Sequence, residues 1–227
     1  MNKTDILIKK IIEFYCDEDN LFHSKEREIA LFNELIKIDF IESGEFLKQS
    51  LKKSKFKNLC ESGDNFSFSL KDFTGRYPNI DTNKVYLIHE PFGSHSSNDF
   101  LFISNIGFLC LEDKKGESDK IMWNTGWMGM SKLICFYNRK KHECFLYTSL
   151  DYHFDNNKTL SDLSDLLESY RQAEKEFSKS WEHKFKEFGK PYSISSRKDF
   201  KDNNKPSKIF DQNMNNVKKL INQLLGI

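Results

Sequence analysis

The residues best placed to do chemistry lie between Asn98 and Lys114. The stretch runs Asn98-Asp99-Phe100-Leu101-Phe102-Ile103-Ser104, then Asn105-Ile106-Gly107, then Phe108-Leu109-Cys110-Leu111-Glu112-Asp113-Lys114. Two apolar runs flank a turn signal, because Asn and Gly tolerate the positive φ angles that tight hairpins use. Two antiparallel strands are therefore expected. A two-residue turn at Asn105-Ile106 sets Asp99 opposite Glu112, whereas a turn at Ile106-Gly107 sets Asp99 opposite Lys114. Directly opposed residues have Cβ atoms about 4.5–5.5 Å apart, so either register gathers two carboxylates and an ammonium at the open end of the hairpin. Period-two alternation puts Glu112 and Lys114 on one face and Asp113 on the other. Two acids and a lysine at that spacing can bind a divalent metal beside a water or a phosphate.

The arrangement resembles the PD-(D/E)xK nuclease superfamily, most of all the type II restriction endonucleases. In that family an Asp opens one strand and Glu-x-Lys closes the next, matched here by Asp99, Glu112 and Lys114. Asn98 stands where the motif has Pro. The preceding Gly93-Ser94-His95-Ser96-Ser97 and the following Trp123-Asn124 are similar to a small group of bacterial restriction enzymes. The resemblance spans residues 85 to 150. It implies a mixed β-sheet of the restriction-endonuclease kind, flanked by helices, and hydrolysis of DNA phosphodiester bonds. It also implies Mg²⁺, with Mn²⁺ as a substitute, held by Asp99, Glu112 and the backbone carbonyl of Asp113. Lys114 would hold or activate the water and steady the transition state. Some relatives add an acid from an N-terminal helix. Glu34 is the first candidate because it interrupts an apolar helix, Glu28 is nearly as good, and Glu90, just after a strand, is another; a surface charge is the plainer reading of each.

The tripeptide alone carries little information, since four windows fit acid-x-Lys, starting at Glu112, Asp113, Glu182 and Asp199. In the helical stretch around Glu182 the same spacing puts the two charges on different faces. Asp199 has no apolar run before it. Only the Glu112 and Asp113 windows end a strand whose partner begins with an acid, and Asp113-Lys114-Lys115 remains a second frame of the same site. Around the site, Ser94, His95 and Ser97 have hydroxyl or ring donors for phosphate oxygens. Asn124 can read an adenine edge and Trp123 can pack against a sugar or an unstacked base. The plainer alternative for each is a turn residue or a core ring, and for the hairpin itself charged and solvated ends.

The 227 residues suffice for one good core, so a single domain is expected, with a helical part over 1–62, a catalytic sheet over 84–150 and a helical part over 159–227. Phe is abundant at 21 residues and supplies much of the core volume. Net charge is only +1, so DNA binding requires clustered basic residues. Three clusters qualify: Lys52 to Lys57, Arg139-Lys140-Lys141, and Arg197 to Lys208. The five Cys form no C-x-x-C pair, which points to a reducing compartment and away from structural zinc. No window is apolar enough to span a membrane and no signal peptide is evident, so a cytoplasmic location is expected.

Apolar spacing predicts helices over 4–16, capped by Thr4 or Asp5, over 24–41, and over 44–60. The stripe of the second is Ile29, Leu31, Phe32, Leu35, Ile36 and Ile38. Strands are expected at 66–70, 85–89, 100–104, 108–114, 133–137 and 144–148, then a long helix over 159–188, a polar loop and a last helix over 206–225. In the family a helix follows the Glu-x-Lys strand, but Gly116 to Met130 leaves room only for a short one. The resemblance implies cleavage of both strands at a short site, hence a two-fold homodimer on double-stranded DNA. A cognate DNA methyltransferase would be the genetic partner. A structure-specific repair nuclease, or a non-catalytic DNA- or partner-binding module on a nuclease fold, are the alternatives.

Overall fold

Apolar runs without alternation, such as Phe100–Ile103, need cover on both faces of a sheet. The computed structural model supplies that cover. It describes residues 1–17, 24–53, 68–93, 98–116, 122–123, 132–148, 200–201 and 206–227, with isolated helical positions between 169 and 184. Helices α1 (Lys3–Cys16) and α2 (Ser24–Leu35) come first. Strand β1 (Ile41–Ser43), a 3₁₀ turn (Glu45–Leu47), helix α3 (Lys48–Lys53) and a second 3₁₀ turn (Leu70–Phe73) follow. Then come β2 (Val85–His89), β3 (Phe100–Ile103), β4 (Phe108–Gly116), β5 (Met122–Trp123), β6 (Lys132–Asn138), β7 (Glu143–Thr148) and β8 (Phe200–Lys201). The last helix, α4, is Pro206–Leu225. The fold is mixed α/β: a six-stranded sheet in the order β1-β2-β3-β4-β6-β7, flanked by helices. β5 and β8 pair separately as a two-stranded sheet.

β1 runs parallel to β2, β4 runs parallel to β6, and the other neighbours are antiparallel. The C-terminal ends of β1, β2, β4 and β6 therefore share one end of the sheet with the N-terminal end of β3. One face carries Val85, Leu87, Phe100, Phe102, Leu109, Leu111, Leu133 and Cys135, and α1, α2 and α4 bury it. The other carries Tyr86, Ile88, Leu101, Ile103, Phe108 and Cys110, packed with Leu47, Leu51, Leu70 and Phe73 from the two 3₁₀ turns and α3.

Several local expectations change. The cap of α1 is Asn2, whose side chain accepts the Asp5 N–H at 2.7 Å, rather than Thr4 or Asp5. The helix expected over 24–41 stops at Leu35, and its tail becomes a turn and β1. Ile36, Ile38 and Phe40 alternate with polar residues, which fits a strand approach as well as a helix. The decision is tertiary: Phe40 and Ile41 are buried, and the Phe40 carbonyl accepts the Val85 N–H at 2.9 Å. Ile29, expected in the core, is exposed, and Arg27 takes the inner position one turn before Leu31. Leu70 opens a 3₁₀ turn rather than ending a strand. The rest of 54–67, and most of the expected helix over 159–188, lie outside the described residues. Among the described residues, no helix follows β4 before β6.

Candidate active site

The hairpin register decides how the charged residues meet. Phe100 pairs with Leu111 and Ile103 with Phe108, so the next position sets Asp99 opposite Glu112, as a turn centred on Asn105-Ile106 requires. The turn closes differently from its sequence signal. None of Asn105, Ile106 and Gly107 takes a positive φ. Instead Ser104 N–H donates to the Gly107 carbonyl at 2.8 Å, and Ser104 Oγ accepts the Ile106 N–H at 3.1 Å. The same hydroxyl donates to the Leu224 carbonyl of α4 at 2.6 Å, which fixes the tip of the hairpin to the helix layer.

Asp99, Glu112 and Lys114 continue the face that holds Leu101 and Cys110. Lys114 Nζ lies 2.6 Å from Glu112 Oε1, with the Glu112 side chain 5% and the Lys114 side chain 17% exposed. Glu112 Oε2 is buried and has no hydrogen-bond partner among the described residues. Asp99 Oδ2 accepts the Asp113 N–H at 2.6 Å. Burial, and then the charges of Glu112, Asp113 and Glu28, push the Asp99 carboxyl well above its ordinary range, with Lys114 opposing. Burial also raises Glu112, against the pull of Lys114 and then Lys132. For Lys114, burial works downward, but Glu112 first and then Asp99 and Asp113 overcome it and hold the ammonium above its usual value. Two carboxyls that resist ionisation beside a firmly charged lysine, with one orphaned carboxylate oxygen, form a site short of positive charge. A hard divalent cation fits that donor set.

No family model matches this chain, no curated protein matches it, and no solved structure matches it. The chemistry therefore rests on the residues themselves.

Asp113 turns away from this group. Its side chain lies on the opposite face, where it pairs with Arg27 and accepts the Tyr15 hydroxyl at 2.8 Å. In that position the Asp113 carboxylate is not available to the Glu112–Lys114 face, which leaves Glu112-Asp113-Lys114 as the frame that assembles there. Of the further acids, Glu34 is held by Lys10 at 2.9 Å and by Lys37. Glu28 reaches the sheet: its Oε2 is 3.1 Å from His89 Nε2, and its charge acts on Asp99. Glu90 N–H donates to the Asp99 carbonyl at 2.7 Å, and Glu90 holds a φ of 44°. Glu28, His89 and Glu90 each bring one donor atom within 4.8 Å of the others, a mixed oxygen and nitrogen set able to hold a cation.

Parallel pairing of β4 with β6 brings the basic turn to the same end of the sheet. Gly116 pairs with Asn138, and Arg139 N–H donates to the Gly116 carbonyl at 2.9 Å. Asn138 Oδ1 shapes the turn by accepting the N–H groups of Lys140 and Lys141 at 3.1 and 3.2 Å. Burial, then Arg27 and Arg139, lower the neighbouring Lys115 ammonium, as expected where cations crowd. Trp123 contributes its backbone to the β5–β8 pair. Ser94, His95, Ser97 and Asn124 lie outside the described residues.

Sequence reasoning passed over Lys132, Arg27 and Tyr15. Lys132 begins β6 at 2% exposure, on the face of Cys110 and Glu112. A lysine opening an otherwise apolar strand was the available signal, because a buried ammonium needs a countercharge. Arg27 had only the Arg27-Leu31-Leu35 spacing of a helix face to betray it.

Proposed function

We propose that this chain is a Mg²⁺-dependent DNA endonuclease of the type II restriction kind, cutting both strands at a short specific site. The observation that carries the reading is one face of one hairpin. There Asp99 stands opposite Glu112, Lys114 pairs with Glu112, and Glu112 Oε2 is left without a hydrogen bond among the described residues. Asp99, Glu112 and the Asp113 carbonyl would hold the cation, which supplies Lewis acidity and charge to a phosphodiester under attack.

The chain's own groups do the rest. Glu112 and the other carboxylates keep Lys114 protonated, so it acts as a fixed hydrogen-bond donor. It orients the attacking water and stabilises negative charge on the phosphoryl oxygens in the transition state. Arg139, Lys140 and Lys141, at the same end of the sheet, would grip the flanking phosphates and fix the duplex without reading its sequence. Ser94, His95, Ser97, Trp123 and Asn124 are the proposed contacts from the adjoining segments. Cleavage of both strands at a symmetric site calls for a homodimer, and a cognate methyltransferase would protect host DNA. Incubation with unmethylated phage DNA and Mg²⁺ is expected to give discrete fragments. A smear would instead indicate a structure-specific or nonspecific nuclease, and intact DNA across many substrates would remove the nuclease reading.

A further inference from the structure

Asp113 sits between Glu112 and Lys114 and serves both faces of the sheet. Its backbone N–H donates to Asp99 Oδ2 at 2.6 Å. The paired ladder of β3 and β4 is described as far as Phe100 and Leu111. Just past it, the Asp99 carboxylate takes up the Asp113 N–H. The orientation of that carboxylate thus depends on where the Asp113 peptide points.

On the other face the Asp113 side chain is clamped. Oδ1 accepts the hydroxyl of Tyr15 from α1 at 2.8 Å. Oδ2 accepts Arg27 Nε from α2 at 3.2 Å and pairs with Arg27 Nη2. Arg27 is 2% and Tyr15 1% exposed, so the clamp is closed to solvent. Two helices therefore hold the Asp113 carboxylate by three directional contacts, and through it bear on the peptide that donates to Asp99. Apolar side chains of similar volume would attach the helices as well or better, because charges removed from water carry a desolvation cost. What an apolar contact does not give is a fixed peptide direction.

We propose that Asp113, held by Arg27 and Tyr15, is a positioning residue that sets the Asp99 carboxylate in its working orientation. This rests on the nuclease reading above. The N-terminal helices then act on the site through β4, without touching substrate.

The test begins with wild-type cleavage of plasmid DNA in Mg²⁺, whose absence would remove the nuclease reading and is seen before any variant is compared. The variant Arg27→Met with Asp113→Leu replaces the clamp by apolar bulk. It is expected to keep the thermal midpoint and the KM for DNA and to lose about 100-fold in kcat, as displaced catalytic groups do. Arg27→Lys, which keeps the charge but not the fork, is expected to fall between it and wild type. Wild-type kcat in the folded double variant would overturn the inference. Should the double variant fail to fold, Tyr15→Phe decides the matter, since it leaves the charge pair intact. A kcat about 10-fold down at unchanged KM supports positioning, and an unchanged kcat overturns it.

Discussion

Asp99 carries a conflict that its neighbours only partly relieve. Burial and the charges of Glu112, Asp113 and Glu28 raise its carboxyl well above the ordinary range, while Lys114 works against them. The direction has a consequence for stability. With the folded value above the unfolded one, the unfolded chain loses its proton first as pH rises. Folded protein is then most favoured while Asp99 is protonated, and stability falls from the ordinary carboxylate range up through the raised folded value. Asp99→Asn removes that loss and keeps an oxygen for the Asp113 N–H. In chelator near neutral pH the variant is expected to be more stable than wild type by about 0.5–2 kcal/mol, the usual size of a single stabilising substitution, and to converge with it in acid. Thermal unfolding across pH measures this, and a wild-type midpoint at or above that of the variant near neutrality would contradict it.

At the level of elements, the sheet depends on close backbone approach beside β1. Gly44 N–H donates to the Leu87 carbonyl at 2.8 Å. A Cβ at Gly44 would lie 2.7 Å from Ile88 Cγ1 and 3.1 Å from Tyr86 Cβ. Gly44→Ala is expected to cost about 1–3 kcal/mol through overpacking, read by denaturant unfolding, and an unchanged midpoint would show that the strands can part there. On the proposed nuclease reading, the basic turn after β6 has a separable role. Changing Arg139, Lys140 and Lys141 together to Ala is expected to weaken binding alike on every DNA sequence and to lower the salt slope by about 0.9 for each phosphate no longer neutralised. An unaltered salt dependence would place the phosphate grip elsewhere. The strands of the hairpin were legible because they are long, apolar and bounded by acids. Their turn was legible in position but not in mechanism, since the Ser104 hydroxyl does what the sequence assigns to positive φ angles at Asn105 and Gly107. The end of α2 was not legible, because Ile36, Ile38 and Phe40 suit either period and only contact with β2 decides. Nor was the Arg27–Asp113 pair, whose partners stand 86 residues apart with no local pattern to join them.

At the scale of the whole molecule, the sheet's two faces divide the work. One is sealed by α1, α2 and α4 and holds the Arg27–Asp113–Tyr15 clamp. The other carries Asp99, Glu112 and Lys114 where the apolar rows end. Among the described residues, no helix is long and apolar enough to cross a membrane. Positive charge gathers locally although the net is small: a chain of net charge +1 places Lys114, Lys115 and the Arg139–Lys141 turn at one end of the sheet. The most direct measurement is cleavage of unmethylated phage DNA with and without Mg²⁺, wild type against Lys114→Ala. Wild type is expected to give discrete fragments only with Mg²⁺, and the folded variant to be slower by about 10²–10³-fold, the scale of losing one fixed donor to the transition state. Cutting that survives Lys114→Ala at the wild-type rate would contradict the assignment of this hairpin as the site of hydrolysis.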